Sequence, residues 1–306
     1  MREFTSVEAA IDRWAHGVLA RLPRHGVSAA ATEFVVFGLK QAWACLFGGA
    51  LLGLLLLTRV AWPAGLPLPR YDFLVITALL LQVGMLAGRL ETIEEAKIIL
   101  IFHAAGTVME IFKTGVGSWL YPEPSLLRIA GVPLFSGFMY AAVGSYLTRT
   151  QRIFDIRLAD YSPLWATALL AGLIYANFFA HHFIPDLRLG LFALTALLYW
   201  RTVMHYRVFR FTLRMPLLVA FCLVALFIWF GENIGTWSHA WVYPAQRDGW
   251  APVGLEKLGS WFLLMIISVV LVTIVHRPRA PDPLNPAVDL DRPDIKVAPA
   301  PPPTSP

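Results

Sequence analysis

Eight apolar runs succeed one another along the chain, at about 34–57, 71–90, 95–113, 129–147, 163–182, 187–202, 215–233 and 257–275. Each approaches the roughly 20 residues with which a helix crosses a hydrocarbon core of about 30 Å. The pattern predicts an all-α fold, a polytopic transmembrane helical bundle of about eight spans, with the sixth the shortest. Ahead of the first span, Val7, Ile11, Trp14, Val18, Leu19 and Leu22 recur at helical spacing, and Arg13, Arg21 and Arg24 fall elsewhere. Thr5 and Glu8 stand at capping-box spacing. Residues 1–32 therefore read as a cytoplasmic amphipathic helix lying on the membrane surface, with no cleavable signal peptide expected. Residues 33–276 form the membrane domain. From Arg277 to Pro306 proline is frequent and apolar periodicity is lost, which predicts a disordered cytoplasmic tail.

Composition agrees with the pattern. At 57% hydrophobic and 15% charged residues, the chain departs from soluble domains, in which about a quarter of residues are charged. The net charge of +5 is spread over short loops, which excludes a nucleic-acid partner and leaves the lipid bilayer. Seventeen of the 25 Lys and Arg residues fall on the side shared by the N-terminus, loops 2–3, 4–5 and 6–7, and the C-terminus. The positive-inside rule then puts both termini in the cytoplasm of a multi-pass plasma- or inner-membrane protein. Cys45 and Cys222 lie inside apolar runs, where cysteine behaves as a small hydrophobe.

One stretch returns. EIFKTGVGSWLYP, from Glu110 to Pro122, recurs as ENIGTWSHAWVYP, from Glu232 to Pro244, and a gapless alignment pairs Glu110 with Glu232, Thr114 with Thr236, Trp119 with Trp241, Tyr121 with Tyr243 and Pro122 with Pro244. The copies follow spans 3 and 7. An even number of spans separates them, so the reading is a parallel internal repeat, with units at about 95–147 and 215–275 and both motifs on the extracytoplasmic side.

Candidate chemistry gathers at these motifs. A carboxylate inside the hydrocarbon boundary is costly and faces a cavity or a partner. Glu110 and Glu232 are thus candidate general acids, proton carriers or cation ligands, or they pin the re-entering loop through Thr114 and Thr236 or Tyr121 and Tyr243. His103 lies two turns before Glu110 on one helix face, a relay candidate or a buried neutral histidine. His181 and His182 end span 5, with Asn177 one turn earlier, and His239 lies in the second motif. His181 is a second relay candidate, and no metal or other cofactor is expected, because the histidines form no metal-binding spacing. Trp119, Tyr121, Trp241 and Tyr243, with Asn177, are candidate substrate-binding residues able to enclose an apolar chain. Lys40 is read as snorkelling or pairing with Glu33, and Arg89, Glu91, Glu94, Glu95 and Lys97 as a solvated hairpin.

On EIFKTGVGSWLYP and ENIGTWSHAWVYP, the chain resembles the YoaT-like family of bacterial integral membrane proteins over most of residues 30–275. The first copy, running on to Gly131–Leu134, is also similar to membrane-bound carotenoid hydratases. The second, with Gly254, Leu255 and Glu256, is similar to heterodimer-type lycopene cyclases, although Glu256-Lys257 stands where those enzymes have paired glutamates. That likeness implies protonation of an isoprenoid double bond without a redox cofactor, with Glu110 and Glu232 as the acids. Two functions are therefore expected: a cofactor-independent acid–base enzyme acting on an isoprenoid or other lipid, or a proton- or cation-coupled transporter or channel. A third reading makes the motifs structural clasps.

Overall fold

The structure, a computed structural model, describes residues 5–21, 26–63 and 65–281. The Pro-rich tail from residue 282 onward, and Leu22 and Arg24 of the surface helix, lie outside the described residues. Among the described residues, ten α-helices and five short strands follow in the order α1 (Ser6–Leu19), α2 (Gly26–Ala44), α3 (Leu46–Ala61), α4 (Arg70–Ala87), α5 (Ile93–Gly115), β1 (Arg128–Ile129), β2 (Val132–Pro133), α6 (Phe135–Ile153), β3 (Arg157–Ala159), α7 (Leu164–Ala180), α8 (Arg188–Tyr199), β4 (Val203–Arg207), β5 (Thr212–Pro216), α9 (Leu217–Trp237) and α10 (Glu256–Val275).

Among these helices, α4, α5, α9 and α10 are long and apolar enough to cross a membrane, and α2 with α3 makes a fifth candidate if the pair counts as one bent span. The pair bends by 69° at Cys45, where the sequence pattern predicts one straight span. α7 and α8 are apolar but shorter. α6 begins at Phe135, six residues into the predicted fourth run, and is too polar to count among the span candidates. Its Ser136, Ser145, Thr148, Arg149 and Thr150 are buried in protein, so packing, not lipid, sets its composition.

The strands depart from an all-α reading. Ala130 (φ 49°) and Gly131 (φ 84°) turn β1 back onto β2, the two successive positive φ angles that a two-residue hairpin favours. β3, β4 and β5 form an antiparallel sheet in the loops between α6 and α7 and between α8 and α9.

The α5–α6 seam is close because small residues line it. A Cβ on Gly106 would lie 2.5 Å from the Tyr140 ring, one on Gly137 2.6 Å from His103, and one on Gly144 2.9 Å from Phe102.

At the opposite end from the motifs, ions are buried. Arg149, 0% exposed, donates to Glu91 at 2.9 Å. Arg152 pairs at 2.8 Å with both Glu95 and Glu8. Glu91 and Glu95 therefore do not belong to a solvated hairpin, as their charge suggested, whereas Glu94 and Lys97 do pair at the surface. Thr5 and Glu8 form the predicted capping box, and Glu8 also accepts from Trp43, which ties α1 to α2. The exposed Trp14 and Ile11 project from α1. Lys40 donates to the carbonyls of Ile153 and Val208, while Glu33 accepts from the backbone of Phe209 and Arg210.

Candidate functional site

Glu110 is on the penultimate turn of α5, and Glu232 holds the like place on α9. They are 5% and 4% exposed. Past each helix end the chain returns over the carboxyl group. Trp119 Nε1 and Tyr121 Oη each donate to Glu110 Oε2 at 2.6 Å, and Tyr140 Oη on α6 donates to Oε1 at 2.8 Å. Tyr243 Oη donates to Glu232 Oε1, and Trp261 Nε1 on α10 donates to Oε2.

The two cradles touch. Leu120 and Val242 exchange backbone N–H···O bonds of 3.0 Å in an antiparallel bridge. The Trp119 and Tyr243 rings meet edge to face at 6.0 Å, and the Tyr140 and Trp261 rings lie 6.5 Å apart.

The donors constrain the proton. An indole N–H only donates, whereas a phenol donates or accepts. Each Oε2 is therefore held as an acceptor, and each Oε1 faces a hydroxyl that could equally receive a hydrogen bond from a protonated carboxyl. Among the described residues, no cation lies within ion-pair reach of Glu110 or Glu232. The nearest to Glu232 is Lys257, whose Nζ sits 4.4 Å from the centre of the Tyr243 ring.

An apolar crevice of about 40 Å³ opens against this pair, between α5, α6, α7, α9 and α10. Its walls include Gly106, Met109, Tyr140, Tyr175 and Trp261. Tyr140 and Trp261 thus belong both to the crevice and to the two carboxyl groups.

The other predicted site residues are placed differently. Trp241 does not reach Glu232: it packs over Gly235, where a Cβ would meet its ring at 2.1 Å, and Trp261 takes the indole role. Thr236 bonds Asn233 and Trp250, and the buried Thr114 hydroxyl has no partner, so the clasp runs through tyrosine and tryptophan and not threonine. His103 packs at 4.5 Å against Phe138 with Nδ1 buried and unpartnered. His181 and His182 turn to Lys113, whose Nζ is 3.3 and 2.9 Å from their Nε2 atoms. Partial burial, then Lys113 and His181, hold His182 below the usual imidazole range. Asn177 accepts from the Leu187 backbone and donates to Asp186, and so fixes the α7–α8 turn. His239 lies in the second loop, where its carbonyl accepts from Tyr71.

Sequence reasoning missed Tyr140 and Lys113, and it missed Trp261 as the indole donor to Glu232. A hydroxyl-bearing ring on the polar α6 was the available signal for Tyr140. Among the described residues, no three His, Cys, Asp or Glu side chains gather as a metal site.

The family described as "Protein of unknown function (DUF817)" matches residues 33–269. A relative from Bacillus subtilis (strain 168), "Uncharacterized protein YoaT", is 42% identical over 261 residues, covering 85% of this chain and 98% of its own. The crystal structure of a cross-linked MvINS trimer is similar over 62% of this chain and 98% of its own, at 14% identity and a TM-score of 0.44.

Proposed function

The chain belongs to the DUF817 family, and from that premise and the geometry of Glu110 and Glu232 we propose an integral membrane protein that performs cofactor-independent acid–base chemistry on an isoprenoid or other lipid. One observation carries the reading: Tyr140 and Trp261 wall an apolar crevice and hydrogen-bond the two carboxyl groups. An apolar group reaching that crevice would lie against Tyr140, a hydroxyl through which Glu110 can pass a proton. Glu110 and Tyr140 then form the proton path, Glu232 is the second acid, and Trp119, Tyr121 and Tyr243 exclude water from them. His103 and His181 stand away from both glutamates and have no part in this reading, and Trp241 and Asn177 act as packing and turn residues.

We read the fold as eight membrane-crossing segments with a parallel repeat, α5–α6 against α9–α10, and both termini cytoplasmic. The Leu120–Val242 bridge supports the repeat. A two-fold axis along the membrane normal keeps helices in like orientation and makes in-plane segments antiparallel.

The test compares whole-lipid extracts, by mass spectrometry, from cells lacking the protein, cells complemented with it, and cells complemented with the Glu110→Gln, Glu232→Gln double variant at equal expression. A lipid species formed only with the unmutated protein is the expected result. Three identical profiles would reject a lipid enzyme for the lipids those cells make. The contacts between the two cradles favour one alternative, proton-coupled transport, and proton flux into proteoliposomes with unchanged lipids would select it.

A further inference from the structure

Lys113 lies one turn beyond Met109 on α5, and Phe178 and His182 lie one to two turns beyond Tyr175 along α7 and its C-terminal turn. Met109 and Tyr175 line the crevice. Four helical residues rise about 6 Å, so Lys113 stands about one turn beyond the Met109 end of the crevice.

That lysine is 4% exposed and has no carboxylate within ion-pair reach among the described residues. His181 Nδ1 lies 2.9 Å from the Asn177 carbonyl, which assigns the proton to Nδ1 and turns the Nε2 lone pair to Lys113. His182 Nε2 faces it likewise, and the Phe178 ring lies under the ammonium at 4.2 Å. Two of the three ammonium N–H bonds are thereby directed at imidazole nitrogens, and one is left without an acceptor among the described residues. The next charges along this face are Lys257, Arg188 and Asp186, and Asp186 is engaged by Arg188 and Asn177. Net positive charge remains. Phe183, Ile184, Leu187 and Leu189 beside the cluster expose apolar surface, as residues at a bilayer boundary do.

We propose that Lys113, positioned by His181 and His182, seats the phosphate of an amphiphilic lipid whose chain runs from that head group past the mouth of the crevice. The occupant of the crevice rests on the function proposed above, and the phosphate seat identifies its head group. The ammonium supplies charge and one hydrogen bond, while the imidazoles hold it in place.

The experiment uses the purified full-length protein released from nanodiscs that carry phosphatidic acid and diacylglycerol of identical acyl chains, with native mass spectrometry counting the lipid retained. The wild type is expected to retain phosphatidic acid about tenfold or more over diacylglycerol, the factor that one charged hydrogen bond supports. Lys113→Gln brings the ratio near one, whereas Lys113→Arg and the surface variant Lys97→Gln keep it. A wild-type ratio near one, or equal ratios in wild type and folded Lys113→Gln, overturns the proposal. If Lys113→Gln does not fold, the wild-type ratio decides alone. Inorganic phosphate that displaces the lipid at low millimolar concentration reassigns the site to the free anion and overturns the lipid. Glu110→Gln is expected to retain phosphatidic acid as the wild type does, so a failure of the acid–base reading stays distinguishable from a failure of the phosphate seat.

Discussion

Leu120 and Val242 hold the same position in the two motif copies and bond each other backbone to backbone. An antiparallel pair that exchanges both N–H···O bonds has a local two-fold axis. On either side of it each loop delivers a tyrosine, Tyr121 or Tyr243, to the glutamate eleven residues back. The copies then diverge: in the first the motif's own Trp119 binds the carboxyl, and in the second Trp261 of the following helix does. Two sites with one architecture thus present different outer walls to the crevice, a phenol from α6 and an indole from α10.

Gly106 should tolerate no side chain. Its missing Cβ is occupied at 2.5 Å by the ring of Tyr140, and overpacking of this kind costs about 1–3 kcal/mol. Gly106→Ala is expected to lower thermal stability in detergent and to displace Tyr140 from Glu110, and under the proposed acid–base function it lowers product formation as well. Gly84→Ala, at a helical position with open space around it, is the control and should be neutral or stabilising by up to about 1 kcal/mol. Equal stability for the two variants would contradict this packing.

Removing one partner from a buried ion pair strands the other charge, at a cost of about 3–5 kcal/mol. Arg149→Met leaves Glu91 with Ser145 and Gln82 as its remaining side-chain donors among the described residues, and is expected to reduce folded yield sharply. Adding Glu91→Gln should restore part of the loss, because it removes the uncompensated charge. Size-exclusion yield and thermal unfolding of single and double variants check this. If the double variant is as poor as the sum of the singles, the pair does not act as one unit.

Acid should weaken the α7–α8 end through His182. Its imidazole is held below the ordinary range by partial burial and by Lys113 and His181, so the unfolded chain takes up this proton first, near pH 6.5. The His182 contribution to stability is whole above that value, is lost as pH falls through it, and levels off below the folded-state value. Thermal unfolding from pH 8 to 5.5 should therefore fall more steeply for wild type than for His182→Gln, and parallel curves would discount His182.

The glutamates, their tyrosines and the helical runs were legible in the sequence because the signals are local: apolar run length and an exact eleven-residue interval. What was not legible depends on neighbours distant in sequence. Glu91 and Glu95 look solvated until Arg149 and Arg152 arrive from α6. The aligned Trp119 and Trp241 look equivalent until Gly235 draws Trp241 away from Glu232. His181 looks like a partner for Glu110, but Lys113, in the same motif, holds it. α6 is less apolar than a lipid-facing span because many of its polar residues are buried inside the bundle.

The paired glutamates separate chemistry from architecture when two substitutions are compared at each. In Glu110→Gln the amide oxygen can keep accepting from Trp119 and Tyr121 while its NH₂ donates to the Tyr140 hydroxyl, which then serves as acceptor. The fold should lose no more than about 1 kcal/mol, the net worth of a hydrogen bond. Glu110→Leu instead buries three donors without an acceptor, at about 1–3 kcal/mol each, and folded yield should collapse. Glu232→Gln and Glu232→Leu should repeat the pattern more mildly, since two donors are involved. Gln variants that fold like wild type yet form no lipid product place the ionisable proton in the mechanism. Folded Gln variants with wild-type product would leave the carboxyl groups as clasps for the loops and nothing more.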